Sequence, residues 1–335
     1  MGLQFIDGFD LYPTGAVTGL VGNKWSAQGT IVTSQFRNGR AALQNDSQSP
    51  CVRAITAPVS RILYGAAVRV TALTGETFSG GVRIIGATSY LTVLMDADAN
   101  TGQLELRRGN GNANLGISAP VVTANTWNYL LIDYNIATAT CDIYWNRTLV
   151  LSVAGIAGIG AISSVGLARF GLPAATNSFY DDVFVWTDPA APDLAALLLA
   201  ADFEARATLP SANGATQNWS FTGGASAFES INNAPYNTGQ YIEAASALDV
   251  SQFDYANVSA GAFEVFGAQH YYYAQKTTAG AGNIQAEIEG GAGADNAQAT
   301  TFAYYTDVYQ TNPGTGTAWI PADLSTVNGQ FERTA

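Results

Sequence analysis

Between residues 62 and 186 apolar and polar positions alternate in short bursts, at 62–70, 82–85, 90–95, 104–107, 128–134, 141–145 and 183–186. Each burst is rich in Val, Ile, Leu, Tyr or Trp, the pattern of a strand with one face buried and one open. Turn clusters rich in Gly and Asn separate them at 98–102, 109–114 and 155–160. No stretch between them carries a helix-length period, so the period of two predicts antiparallel sheets packed as a sandwich. The pattern resumes with more Ala, Asn and Tyr at 202–208, 239–244, 261–276, 283–289 and 299–311. The stretch 261–276 predicts one long twisted strand or two strands with a bulge.

At 335 residues the chain exceeds one ordinary sandwich. Pro189, Pro192 and the Ala-rich run ending at Ala201 interrupt the strand pattern after Trp186. The expectation is therefore an all-β protein of two tandem β-sandwich (jelly-roll) domains, 1–188 and 202–335, joined by a short Pro/Ala-rich linker at 189–201. Asp193 can cap one or two helical turns in that linker, and an extended linker is the alternative.

Charged residues make up only 12% of the chain, about half the usual share of roughly 25%. Asn, Gln, Ser, Thr, Gly and Ala must cover much of the surface, which suits a β-protein packed against copies of itself or permanent neighbours. With 14 Lys+Arg against 26 Asp+Glu, the chain repels polyphosphates and anionic bilayers at long range. Neither nucleic acid nor a membrane is expected as a partner. The longest aliphatic run, 194–201, has eight residues, against the roughly 20 that cross a bilayer. Residues 1–7 lack the positive patch and apolar core of a signal peptide, so no secretory export is expected. Cys51 and Cys141 read as reduced core residues rather than a disulfide framework.

Residues that could carry chemistry are few. His270 is the only histidine, which removes most Ser-His-Asp and multi-histidine metal schemes. Asp181 and Asp182 are adjacent and should point to opposite faces of a strand, whereas Glu287 and Glu289 should share one face as a solvated pair. Asp96, Asp98 and Asn100 stand at the spacing that opens a calcium loop. Thr101 and Arg107 occupy the positions that should be Gly and a bidentate Glu, so a hairpin turn is the main reading and calcium the alternative. Gly280-Ala-Gly282 and Gly290-Gly-Ala-Gly293 lack the Lys-Ser/Thr of a phosphate loop and read as hairpin tips. Trp25, Tyr90 and Trp145 are candidate glycan-stacking rings in the first half, and Tyr236, Tyr241 and 271–273 in the second. As a group, Tyr271, Tyr272 and Tyr273 also suit a subunit interface.

The order of several motifs adds a family reading. The first half opens with Phe5-Ile-Asp-Gly-Phe-Asp10 and Phe36-Arg-Asn-Gly-Arg40, continues through Thr126-Trp-Asn-Tyr-Leu-Leu-Ile-Asp133 and Cys141-Asp-Ile-Tyr-Trp-Asn-Arg147, and closes with Phe179-Tyr-Asp-Asp-Val-Phe-Val-Trp-Thr-Asp188. That succession resembles the concanavalin A-like, laminin-G-type jelly rolls of phage structural proteins. Asp202-Phe-Glu-Ala-Arg-Ala-Thr-Leu-Pro210, Asn213-Gly-Ala-Thr-Gln-Asn-Trp219 and 312–323 resemble the domain that follows such jelly rolls in tailed-phage virion proteins. The resemblance implies a structural component of the virion (head decoration, neck or tail appendage), localised on the particle and assembled as a homo-oligomer with other virion proteins. It also allows a role in adsorption to host surface glycan. Glucanases of this shape carry a Glu-x-Asp-x-x-Glu strand, which this chain lacks. A non-enzymatic protein without a cofactor is therefore expected, a polysaccharide depolymerase being the remaining alternative.

Overall fold

The computed structural model describes residues 2–12, 14–16, 25–26, 29–37, 41–45, 50–73, 80–95, 102–109, 113–168, 177–188, 194–195, 197–198, 203–234, 236–258 and 264–335. The chain divides into two compact units. The first comprises Met1–Phe9 and Thr14–Ala205; the second comprises Asp10–Pro13 and Arg206–Ala335.

Among the described residues, the first unit holds two antiparallel sheets. One has nine strands: β1 (Leu3–Asp7), β2 (Gly15–Ala16), β3 (Thr30–Val32), β4 (Ala42–Asn45), β6 (Arg61–Val70), β11 (Asn128–Asn135), β12 (Thr140–Trp145), β13 (Thr148–Ala154) and β15 (Ser178–Thr187). Its order is β13-β12-β11-β6-β15-β4-β3-β2, with β1 also on β15. The other contains β5 (Cys51–Val59), β7 (Gly80–Gly86), β8 (Tyr90–Met95), β9 (Leu104–Arg108), β10 (Ala113–Ile117) and β14 (Ile162–Ala168), in the order β10-β9-β8-β7-β14-β5.

Alternation decides what lies between the sheets. Ile62, Tyr64, Ala66 and Val68 of β6 and Leu130, Ile132 and Tyr134 of β11 pair in register and are buried. Val82, Ile84, Leu91, Val93, Leu104, Leu106, Val165 and Leu167 supply the buried set of the second sheet. Polar atoms inside this core find backbone partners across it. The Tyr64 hydroxyl donates to the Gly166 carbonyl at 3.2 Å, and the Tyr180 hydroxyl donates to the Gly81 carbonyl at 2.9 Å while accepting from the Gly81 amide at 3.0 Å. Asn45 Nδ2 donates to the Leu167 carbonyl at 2.8 Å. These bonds satisfy groups that would otherwise cost free energy on burial. Cys51 and Cys141 are buried thiols on different sheets, and the Cys51 thiol donates to the Ser26 carbonyl at 3.2 Å.

In the second unit β16 (Pro210–Gln217), β19 (Val250–Tyr255), β26 (Asn328–Arg333), β21 (Asn283–Ile288) and β22 (Gly291–Ala297) form a five-stranded antiparallel sheet in that order. Three two-stranded ribbons accompany it: β17 (Ser220–Thr222) with β18 (Tyr241–Glu243), β20 (Ala268–Ala274) with β23 (Ala303–Tyr309), and β24 (Thr311–Asn312) with β25 (Thr317–Ala318). Its core gathers Trp219, Ala227, Phe253, Tyr272, Ala286 and Phe331, with a second cluster of Ile288, Tyr309 and Trp319. Both tryptophans satisfy their indole N–H on backbone carbonyls, Trp219 on Asp249 at 2.9 Å and Trp319 on Tyr309 at 3.0 Å.

The chain is all-β, as the period of two predicts, with helix confined to short pieces. Residues 194–195 and 197–198 of the predicted linker are helical and Leu197 is buried. The expected strand at 202–208 does not form over 203–208; Phe203 instead stacks 5.0 Å from the Tyr129 ring and 5.1 Å from Phe184. Of the stretch 261–276, Ala268–Ala274 is strand, 264–267 is not, and 261–263 lie outside the described residues.

Candidate functional site

The site is built on the face of the six-stranded sheet that points away from the core. On β7, β8 and β9 the apolar residues 82, 84, 91, 93, 104 and 106 face inward, so the intervening Arg83, Tyr90, Thr92, Glu105 and Arg107 face outward. Register brings these three strands' residues together: Arg83 lies opposite Thr92, and Thr92 opposite Arg107. The Arg83 guanidinium sits 4.1 Å from the centroid of the Tyr90 ring, and its Nε donates to Thr92 Oγ1 at 3.3 Å. Arg107 Nε forms an ion pair with Glu105 Oε1 at 2.8 Å. On β14, Gly166 lies opposite Arg83, where an added Cβ would stand 3.6 Å from the Arg83 Cβ and 3.1 Å from the Pro50 Cβ.

Exposure is graded across this cluster. Glu105 is 1% exposed and Thr92 is buried, while Arg83, Tyr90 and Arg107 are half-buried. Burial pushes the Arg83 pKa down and the neighbouring Tyr90 opposes that shift, yet a guanidinium stays charged in any protein setting. Two cationic forks, a hydroxyl and a ring face thus lie within one patch, with a buried carboxylate holding one fork in place. Such a patch can donate paired hydrogen bonds to hydroxyl or carboxylate oxygens and offer an apolar surface beside them.

Of the three rings expected to contact glycan, Tyr90 belongs to this patch. Trp25 is 1% exposed; its Nε1 donates to Asp7 Oδ2 at 2.9 Å and its ring packs edge-on to Phe5 at 5.8 Å. Trp145 is also buried, on β12 opposite Leu130 of β11. Neither tryptophan has an open ring face, because each sits at an inward position of its segment. Arg83, Thr92, Glu105 and Arg107 were missed as candidates. Their signal is the polar phase of the same alternation that marks the strands.

The remaining candidates are placed as follows. Asp96, Asp98 and Asn100 lie outside the described residues. Among the described residues, no group of three His, Cys, Asp or Glu side chains gathers as metal ligands. Tyr272 points into the core of the second unit, whereas Tyr271 and Tyr273 lie on the other face of β20. There they pack with Tyr304, which is 5.1 Å from Tyr271 and 4.5 Å from Tyr273. Phe302 stacks on Tyr273 at 4.8 Å, and Tyr12 lies 6.1 Å from Tyr271. His270 is buried, its Nε2 2.7 Å from the Tyr255 hydroxyl, and burial lowers its pKa to about 4.

Two expectations about acidic pairs are corrected. Asp181 and Asp182 do not diverge to opposite faces: a bulge follows Asp181, Asp182 has φ of 47°, and both carboxylates accept from Arg37. Burial outweighs that arginine and pushes Asp182 up to about 6. Glu287 and Glu289 do not share a strand face, because β21 ends at Ile288 and Glu289 has φ of 50° in the following turn. Its Oε1 accepts from the Asn328 amide at 2.6 Å.

Fold and patch together define an all-β protein of jelly-roll type with a polar, arginine-bearing sheet face. No protein-family model matches the sequence, and no curated protein matches it. Partial likeness to solved structures exists. One is a carbohydrate-binding module from Bacillus subtilis, at 14% identity over 48% of this chain and 94% of that one, with a TM-score of 0.33. Another is a β-glucanase from Bacillus licheniformis, at 11% identity over 56% and 99%, with a TM-score of 0.37. A third is domain 4 of an extracellular arabinanase from Geobacillus stearothermophilus, solved with arabinotriose, at 11% identity over 58% and 97%, with a TM-score of 0.38. Likenesses of this degree identify no ligand for this chain, whose chemistry rests on its own residues.

Proposed function

We propose that this chain is a non-enzymatic glycan-binding protein displayed on a tailed-phage virion, with the outer face of the six-stranded sheet as its receptor site. The observation that carries the binding reading is the meeting of Arg83, Tyr90, Thr92 and Arg107 on one sheet face. A pyranose presents an apolar ring face edged by hydroxyls. Tyr90 suits the first and the arginines, one of them positioned by the buried Thr92, suit the second.

The virion setting rests on the motif order of both halves, and the low charge of the surface fits a protein held in a permanent assembly. The non-enzymatic reading is supported by the tethering of the acidic groups. Glu105 is paired with Arg107, and Asp181 and Asp182 both bind Arg37. A glycosidase would need two carboxyls opposed across a cleft.

A glycan array followed by calorimetry on host-surface polysaccharide fragments tests the site. The wild-type chain should bind, and Tyr90→Ala or Arg83→Met should weaken binding about tenfold, some 1.4 kcal/mol, without loss of fold. A wild-type chain that binds no glycan removes the binding reading. Release of reducing ends from the same polysaccharide removes the non-enzymatic one. Failure of antibodies against the chain to label intact phage particles removes the virion setting.

A further inference from the structure

The nine-stranded sheet also has a face that points away from the core, and part of it is covered by the chain itself. Tyr129 of β11 alternates with the inward Leu130, Gly65 of β6 alternates with the inward Tyr64 and Ala66, and Phe184 of β15 lies opposite Gly65. Tyr129 and Phe184 are nevertheless buried. Phe203 lies across them, 5.0 Å from the Tyr129 ring and 5.1 Å from the Phe184 ring.

The backbone of residues 203–205 is held by two side chains. Arg37 Nη1 donates to the Phe203 carbonyl and, at 2.8 Å, to Asp182 Oδ2, while the Ala205 amide donates to Asp182 Oδ1 at 2.7 Å. A bulge follows Asp181, and Asp182 takes a φ of 47° that an aspartate adopts only at some cost. The strand thus gives up its regular ladder at the residue that holds the segment. Gly8 forms the facing wall, where an added Cβ would stand 2.8 Å from the Ala205 carbonyl oxygen. Residues 203–205 belong to no strand, so lifting them breaks no ladder bond of the sheet.

We infer that residues 203–205 form a latch on the outer face of the nine-stranded sheet, with Arg37 and Asp182 as its clasp, which opens and closes while the strands beneath stay folded. Proton binding sets its balance. The groups facing Asp182 are Arg37, the neighbouring Asp181, Glu204 of the latch and the Tyr129 hydroxyl, which donates to the Asp182 carbonyl at 3.0 Å. In the closed latch the Asp182 side chain is 2% exposed, and burial holds its pKa at about 6 rather than the ordinary 3.8. Opening returns the carboxylate to water and towards the ordinary value. The closed form therefore binds the proton more tightly, so closure strengthens as pH falls through 6 and weakens above it. A protonated Asp182 still offers an acceptor oxygen to the Ala205 amide. Between pH 8 and pH 5 the ratio of closed to open should rise about tenfold.

Hydrogen exchange on the full chain, corrected for the intrinsic rate at each pH, tests this at the Ala205 amide. That amide should exchange faster than those of β11 and β15. Its protection should rise about tenfold from pH 8 to pH 5 in the wild type and stay flat in Asp182→Asn. Gly8→Ala, which removes no titratable group, should lower Ala205 protection at every pH while β11 and β15 keep theirs. Exchange of Ala205 only together with β11 and β15 would overturn the latch, and so would unchanged protection in Gly8→Ala, a variant that decides the matter even if Asp182→Asn does not fold. Equal wild-type protection at the two pH values, or a slope that persists in Asp182→Asn, would overturn its control by Asp182. Arg83 and Tyr90 stand on the other sheet, so glycan binding and the latch fail or survive separately.

Discussion

His270 illustrates how burial governs a single titratable group. The groups around it are the Tyr255 hydroxyl, the rings of Tyr272 and Phe331, and Asp307 opposite it in the β20–β23 register. Desolvation holds its pKa near 4, below the ordinary 6.5, so the folded ring stays neutral where the unfolded one takes up a proton. Its contribution to stability is therefore complete above pH 6.5 and is lost as pH falls towards 4. The full effect is about 3 kcal/mol. Urea midpoints taken from pH 8 to pH 4 should show this slope in the wild type and a shallower one in His270→Gln. An identical slope in both proteins would remove His270 as its source. The lone histidine was visible in the sequence as a residue without catalytic partners. Its burial was not, because that depends on rings contributed by β19, β20 and β26.

At the scale of the element, Gly65 on β6 shows how one position sets the packing of a sheet face. A Cβ there would collide with the Phe184 ring and stand 2.7 Å from the Tyr129 hydroxyl, which itself donates to the Asp182 carbonyl at 3.0 Å. Gly65→Ala should cost roughly 1–3 kcal/mol through overpacking. Differential scanning calorimetry would record this as a lower melting temperature, and adding Phe184→Leu should recover part of the loss. An unchanged melting temperature in the single variant would show that the ring moves aside freely. The strongly alternating strands were legible before folding: 90–95 coincides with β8, and 62–70, 104–107 and 128–134 fall within one residue of β6, β9 and β11. Less legible were β10, β13 and β14. Edge strands expose both faces, and in β14 Ser and Gly take positions that alternation alone would leave ambiguous.

For the whole molecule, the acidic balance has a consequence that can be measured. The chain carries a net charge of −12, and the Debye length grows from about 10 Å at 0.1 M salt to about 30 Å at 0.01 M. Lowering the salt over that range should lower the urea midpoint of unfolding, because the like charges of the folded chain then repel one another over a longer distance. A midpoint that rises instead would show that local ion pairs outweigh the net repulsion. By itself the sequence determined the all-β class, the inward set of most strands in the first unit and the acidic surface, because alternation and net charge are properties of the chain read in order. Only the tertiary structure decided that Arg83, Tyr90, Thr92 and Arg107 share a face, that Trp25 and Trp145 belong to the core, and that β13 is left at an edge. Those outcomes depend on which strands become neighbours and in what register, and that is set by packing between segments distant in sequence.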